Sequence, residues 1–384
     1  MKCVMLSNVR TAMRLCLLLF VAALLPCCKD SRKICDGCLH EIYVPLLEDE
    51  FTEYPIVSKL FGSIDTVYLE NVGPESYIAA VDDVKFHDGR IIVRSGAALY
   101  FFDSTGKFLS RFNRQGNGSG NYRTIARFDI LSSKQEVIIL DNQSDALYVY
   151  GMDGQFKRRI ALEDFVTDFA VMSNGDYLLT NPIKYENRSY RRGLWQVDPT
   201  GKFKKQLVTY DENFLHVSIN NPYLNHISPD VIGFMGVEDN DKFYSIAGDS
   251  VSVTCRMTTD IVIPDDLKRS DKVFVNPQKE YTKCGYLETE RFLYFVATNY
   301  GANLVMAFTD KSNDWQTYLM YVYTEDFNYN AANVEQFPYL VSCYNGTLVG
   351  FFDAGMVFQE ERFRKMFPRM TEDSNPVLIF YNDN

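Results

Sequence analysis

The side chains able to do acid–base, metal or nucleophilic chemistry are thinly placed along this chain. There are four histidines, His40, His87, His216 and His226. His40-Glu41 lacks the second histidine, one helical turn on, that completes a zinc-binding helix. His87 falls in an expected hairpin turn and reads as solvated. His216 and His226 flank Asn220-Asn221-Pro222-Tyr223-Leu224-Asn225 and read as part of a loop surface. Paired carboxylates occur at Asp82-Asp83 and Asp265-Asp266, but acid/base catalysis needs two carboxyls held at a set separation, which adjacency in sequence does not supply. Gly116-Asn117-Gly118-Ser119-Gly120 has no following helix to present amides to a phosphate. Ser119 also lacks the G-x-S-x-G frame of a nucleophile elbow, so this segment reads as a structural turn. The best recognition chemistry lies in Lys184–Arg192, where Tyr185, Arg188, Tyr190, Arg191 and Arg192 combine the ring and guanidinium types that dominate binding hot spots. With Asn221, Tyr223 and His226 they are the candidate ligand contacts. No catalytic residue is assigned.

The N-terminus carries different chemistry. Lys2, Arg10 and Arg14 are the only charges before Lys29, and they precede an apolar run from Leu15 to Leu25. That run is too short to span a bilayer, which takes roughly 20 residues, and has the shape of a secretory signal. It meets Leu25-Pro26-Cys27-Cys28. A cysteine closing a short apolar run resembles a bacterial lipobox, in which the cysteine is acylated after cleavage. Cys28 is the expected acceptor and Cys27 the alternative. The expected organisation is therefore a signal and lipobox over residues 1–28, a polar tether over 29–50, and a single domain over 51–384. A lipid anchor contributes ~0.8 kcal/mol per buried CH₂ and holds a protein on a membrane without spanning it. The expected address is the bacterial outer membrane, at its periplasmic face or at the cell surface.

Of the nine cysteines, Cys35, Cys38, Cys255, Cys284 and Cys343 would remain in an oxidising compartment. Cys35-Asp36-Gly37-Cys38 misses the haem-attachment pattern because Leu39 precedes His40; a local disulfide and free thiols both stand. Cys255 and Cys284 are a further candidate pair. With 39 Lys and Arg against 50 Asp and Glu the net charge is −11, which argues against nucleic acid, because cationic phosphate contacts dominate that affinity.

The elements that must position these residues are read from a repeat. Ala98–Asp103, Ala146–Gly151 and Trp195–Asp198 each lead into a turn ending in Gly106, Gly154 or Gly201. Those glycines lie 48 and 47 residues apart. In each unit an alternating apolar strand reaches a four-residue turn whose glycine accepts positive φ, and a second strand leaves it. Each unit opens with another hairpin, at Asp88-Gly89 in one case and Asn174-Gly175 in another, the strongest short-range hairpin signals. Two hairpins per unit make one four-stranded propeller blade. Length alone allows close to seven blades; insertions such as Lys184–Arg192 bring the count to six. Later units are expected near Val231–Met257, Phe292–Tyr323 and Tyr339–Phe358, with Val377–Tyr381 last. Ile64–Leu69 is expected to close the ring against the C-terminus.

Asp65–Glu70, Ile78–Asp88, Phe102–Phe108 and Arg114–Tyr122 together resemble the six-bladed β-propeller lipoproteins of Bacteroides and relatives, themselves similar to NHL-type propellers. Their usual G-x-G-P-G-E-Y loop here has Ser119 for Pro and Asn121 for Glu. The resemblance implies an all-β six-bladed propeller of four-stranded antiparallel blades and an envelope address, and no reaction. The expected function is a non-catalytic binding or scaffold module for a glycan, peptide or protein partner. The alternative is a calcium-dependent or acid/base hydrolase, lactonase or lyase with its site in the central channel. No cofactor is evident, and calcium is the one candidate.

Acylation at Cys28 has a direct check. Mass spectrometry of the mature protein is expected to find an acylated Cys28 at the N-terminus. Cys28→Ala should abolish the acyl group, and Cys27→Ala should leave it in place.

Overall fold

The computed structural model describes residues 39–47, 60–183, 189–210, 223–236, 241–264, 281–299, 303–323, 340–359 and 361–382. The chain divides into two units, 1–38 and 39–384, and the described residues all belong to the second. Its strands begin with β1 (His40–Tyr43) and β2 (Ser63–Tyr68). The first blade follows as β3 (Asp83–His87), β4 (Arg90–Ser95), β5 (Ala98–Asp103) and β6 (Phe108–Phe112). The second is β7 (Arg127–Leu131), β8 (Glu136–Asp141), β9 (Ala146–Gly151) and β10 (Phe156–Ala161). The third is β11 (Asp168–Val171), β12 (Tyr177–Asn181), β13 (Gly193–Val197) and β14 (Phe203–Val208).

The fourth blade is β15 (Leu224–Ser228), β16 (Val231–Met235), β17 (Lys242–Ala247) and β18 (Ser250–Thr258), with β1 added in parallel on the outer edge. The fifth is β19 (Thr282–Glu288), β20 (Phe292–Thr298), β21 (Asn303–Asp310) and β22 (Gln316–Tyr323). The sixth holds β23 (Leu340–Tyr344), β24 (Thr347–Phe352) and β25 (Val377–Asn382), completed by β2 from the start of the ring. The fold is a six-bladed β-propeller. Ser63 pairs with Asn382 and Tyr68 with Val377, so backbone hydrogen bonds close the ring where the expected strands lie.

The turn chemistry is local and repeated. Asp103 Oδ1 accepts from the Thr105 amide and hydroxyl and from the Lys107 amide, and Asp198 Oδ1 does the same for Thr200 and Lys202. Asp310 repeats the device in blade five with the Ser312 amide and hydroxyl. That third copy lies in Asp310-Lys311-Ser312-Asn313, where Asn replaces the turn glycine and hides the repeat. Asp88 and Gly89, at φ of 50° and 70°, form the expected tight hairpin between β3 and β4.

The strands depart from simple alternation. β8 and β9 are buried at every residue, because each blade is sandwiched between two others and both faces meet apolar side chains. Ile92, Leu99 and Phe101 of blade one pack with Val137, Ile139 and Tyr148 of blade two, while Ile138, Leu140 and Val149 on the other face meet Phe169, Tyr177 and Trp195 of blade three. Only outer strands such as β6 and β10 keep a solvent-facing row.

Three expectations are corrected here. Residues 40–47 are not tether: Ile42, Val44 and Leu46 enter the core, an alternation legible in the sequence but masked by its polar neighbours. The unit expected over Tyr339–Phe358 is not strand to its end: a short helix, α1 (Ala354–Gln359), forms there, followed by α2 (Glu361–Met366), and the two bury Val357 and Phe363. Cys255 is a free, buried thiol, so the Cys255–Cys284 pairing is not formed.

Gly106 and Gly89 separate backbone strain from crowding. A Cβ on Gly106, at φ of +87°, would overlap the Tyr68 carbonyl oxygen, whereas one on Gly89 would meet nothing. Gly106→Ala should cost about 2–4 kcal/mol and Gly89→Ala about 1 kcal/mol in urea unfolding.

Candidate functional site

The innermost strands β3, β7, β11, β15, β19 and β23 stand in sequence around a central channel, each beside the next. Each needs partners for the backbone groups on its channel edge, since a buried unpaired amide is costly. Polar side chains supply many of them and join every consecutive pair of blades. Arg127 reaches Asp83 of blade one at 3.0 Å and donates from Nε to Asp168 of blade three at 3.0 Å. Asp129 Oδ2 accepts the Val171 amide at 2.8 Å. Asp168 Oδ2 accepts the amides of Tyr223 and Leu224, at 2.8 and 3.0 Å, and so ties blade three to blade four. Asn225 Oδ1 accepts the Glu288 amide at 2.6 Å. The Cys343 thiol donates to the Glu288 carbonyl at 3.6 Å, and the Ser342 hydroxyl donates to the Val84 carbonyl at 2.5 Å, completing the circuit.

Among the described residues three contacts cross the channel. His226 Nε2 lies 2.8 Å from Asp129 Oδ2, Asn225 Nδ2 donates to Cys343 Sγ, and that sulfur lies 3.5 Å from the His226 carbonyl oxygen. Burial alone would raise the Asp129 carboxyl. The charge and hydrogen bond of His226, the Lys85 charge and the Val171 amide instead hold it well below the usual carboxylate range. Burial pushes the Cys343 thiol up to about 11, so it is a protonated donor at neutral pH. Between blades four and five, the Tyr286 hydroxyl donates to Glu288, which also takes Lys311 at 2.9 Å. Burial, then the Glu288 carboxylate, raises Tyr286 well above its ordinary value. Gly233 faces that hydroxyl, and a Cβ there would overlap it.

The candidate residues named from sequence separate into distinct places. Tyr185, Arg188 and Asn221 lie outside the described residues, as do Cys27, Cys28, Cys35, Cys38 and His216. Tyr190 packs by its ring against Phe165, with centroids 6.1 Å apart. Arg191 is bound to Asp164 at 3.1 Å and lies 3.8 Å over the Phe203 ring. Arg192 Nε donates to the Pro182 carbonyl at 2.9 Å. A shallow cleft beside Arg191, with room for about one water molecule, is lined in part by Leu162, Asp164, Trp195 and Phe203. Tyr223 is not a loop-surface residue: it is 1% exposed and belongs to the core. His226 is not in a loop either, but on channel strand β15. His87, expected to be solvated, is 8% exposed, with Nδ1 lying 3.2 Å from Ser132 Oγ.

Sequence reasoning passed over Arg127, Asp129, Asp168 and Asn225, and weighed Asp83 only as the neighbour of Asp82. The available signal was a charged or amide residue at or near the start of the first strand in blades one to four, a position alternation alone would fill with apolar side chains. The Gly116–Gly120 loop behaves as the expected structural turn: Tyr150 donates to the Gly120 carbonyl at 2.8 Å and Tyr122 to the Ala97 carbonyl at 2.7 Å. Among the described residues, no three His, Cys, Asp or Glu side chains converge as a metal-binding set.

With the geometry in place, the chain can be compared with known proteins. The family model described as Domain of unknown function (DUF4934) matches residues 49–382. The chain belongs to the DUF4934 family. Its propeller is similar to the crystal structure of a Bacteroides fragilis protein provisionally assigned as exported, with TM-score 0.69 and 16% identity over 88% of this chain and 98% of that one. It is also similar to a DUF4221-family member from Bacteroides vulgatus, with TM-score 0.50 and 10% identity over 84% of this chain and 96% of that one. Identities this low show the fold alone. No curated protein sequence matches the chain.

Two measurements test the channel circuit of this DUF4934 member. Arg127→Met leaves Asp83 and Asp168 without their shared cation and should cost about 3–5 kcal/mol in denaturant unfolding. Because the Asp129 carboxyl is depressed in the folded state, its contribution is fully present above the unfolded carboxylate pKa of about 3.9. It is lost as pH falls below that value toward the folded one. Asp129→Asn should flatten the fall of stability with pH in that acid window, and an unchanged slope would contradict the assignment.

Proposed function

We propose that the chain is an exported, lipid-anchored envelope protein whose propeller is a non-catalytic binding or scaffold module for a glycan, a peptide or another envelope protein. The observation that carries this reading is the state of the channel carboxylates. Asp83, Asp168 and Glu288 are each held by a cation and Asp129 by the His226 ring, and Asp129 and Asp168 take backbone amides as well. The three aspartates are thereby committed to joining blades and Glu288 to groups of its own blade, and recognition falls to groups that face solvent. Tyr190 and Arg192, with the shallow cleft lined by Asp164, Trp195 and Phe203, supply rings, a guanidinium group and a carboxylate, a composition suited to sugars and polar peptides. The fold shared with a Bacteroides fragilis protein assigned as exported supports the address.

One observation favours the second reading. A carboxylate-oriented imidazole is the arrangement of a general base, and His226 beside Asp129 has it, with the side chain 30% exposed. No nucleophile or metal set accompanies it among the described residues.

The test uses the soluble chain from residue 29 onward, on a glycan array and in pull-down from envelope extract. A specific glycan or partner should bind, and Tyr190→Ala with Arg192→Ala should weaken it about tenfold, roughly 1.4 kcal/mol. Turnover of a lactone, ester or glycan that His226→Gln abolishes would displace this reading in favour of the enzymatic one.

A further inference from the structure

The segment 39–47 is clamped to the outer rim of the ring and holds large apolar side chains out into solvent. β1 pairs with β18 in parallel, from His40 beside Cys255 to Tyr43 beside Thr258. The His40 ring stacks on Trp315 of blade five, with centroids 4.3 Å apart. Beyond the strand, the Val44 amide donates to the Thr258 carbonyl at 2.8 Å. Asp260 accepts the amides of Leu46 and Leu47 at 2.7 and 2.9 Å, and Asn299, just after β20, donates to the Leu46 carbonyl at 2.8 Å. The segment is therefore fixed along its length between blades four and five.

That seat also fixes where the exposed side chains stand. Ile42, Val44 and Leu46 enter the same core cluster as Ile261 and Ile263. Their neighbours are turned the other way: Tyr43 is 52% exposed, Leu47 44% and Val262 81%, the highest value of any large apolar residue among those described. Leu47 is hydrogen-bonded to Asp260, and Val262 follows Asp260 by two residues, so both lie at one place on the rim. Tyr43 lies beside Thr258, two residues before Asp260. Apolar groups held together in water mark a contact surface. The carboxylates of the seat do not oppose a lipid headgroup, because Glu41 is paired with Arg256 and both oxygens of Asp260 carry amides.

The length of chain ahead of this seat says what covers it. Leu39 follows Cys28 by eleven residues, and a fully extended chain of that length spans about 40 Å at most. With an acyl group on Cys28, this rim is the part of the ring whose distance from the bilayer is limited most tightly. A short leash also gives the rim a high effective concentration at the lipid surface, so a small apolar patch suffices there.

We infer that the rim patch of Tyr43, Leu47 and Val262 is a lipid-contacting surface that sits in the headgroup region of the anchoring membrane. A tyrosine at headgroup level with aliphatic side chains beside it has the chemistry of an interfacial contact. This rests on the lipid-anchored address proposed above and adds an orientation to it. Blade four faces the bilayer, and blade one, opposite it in the ring of six, faces away.

The test uses the acylated chain in vesicles of phosphatidylethanolamine and phosphatidylglycerol that contain a brominated phospholipid, a contact quencher of tryptophan. Val262→Trp and Leu47→Trp place reporters in the patch. Leu109→Trp places one on β6 of blade one, at an apolar position that is 47% exposed. The parent chain, with Trp195 and Trp315, sets the baseline. Val262→Trp and Leu47→Trp should lose emission beyond that baseline, and Leu109→Trp should stay on it. Thermal melting verifies that each variant is folded, and either patch reporter carries the comparison if the other is not. Equal quenching at all three positions, or none in the patch, overturns the surface. Patch reporters shielded from lipid in a chain that sediments as a dimer assign the patch to a second copy instead. Flotation separates the two readings: a chain that fails to float with the vesicles removes the anchored address and this surface with it. A chain that floats with its patch unquenched removes the surface alone.

Discussion

Everything in this propeller depends on satisfying the inner edge of each blade. An innermost strand pairs with one neighbour in its own sheet and has none on the channel side, so its outward amides would be orphaned at the most crowded place in the molecule. Asp129, Asp168 and Asn225 accept those amides from the next blade along. One side chain thereby removes a desolvation penalty and sets the spacing between two sheets. Arg127 then neutralises two of the carboxylates from a position between them.

That arrangement accounts for the acidic residues of the channel without reference to a substrate. It also accounts for the full burial of middle strands, since blades held at fixed spacing must fill the gaps with apolar side chains on both faces. Ring closure is handled differently at the rim, where β2 and β25 pair through a backbone ladder to which Asn382 adds side-chain bonds to Ser63 and Asp65. The channel is thus joined by side chains and the seam chiefly by main chain, and the two do not depend on the same residues. The fourth blade carries an extra edge strand, and α1 and α2 pad the sixth. Both additions cover apolar surface that a bare four-stranded blade would leave open.

The functional consequence is a division of labour between groups committed to the ring and groups left over. Arg191 belongs to the committed set even though it sits in the recognition loop, because Asp164 and Phe203 hold it.

How much of this was legible in the sequence follows from the range of the interactions involved. The blade repeat was readable because its cause is local: Asp103 and Asp198 each fold a turn within four residues of themselves, and Gly106 and Gly201 permit the conformation. The closing strand was readable because its apolar pattern had no other partner in the chain. The inner strands β15 and β19 escaped because their residues are chosen to meet other blades, and neither Leu-Asn-His-Ile-Ser nor Thr-Lys-Cys-Gly-Tyr-Leu-Glu has the alternation of an isolated strand. For the same reason His226 and Tyr223 looked like loop residues. By itself the sequence determined the repeat, the turns and the number of hairpins per blade, all fixed over a few residues. Only the tertiary structure decided which charges face each other across 41 to 97 positions of chain, because that pairing exists only once six blades have closed around an axis.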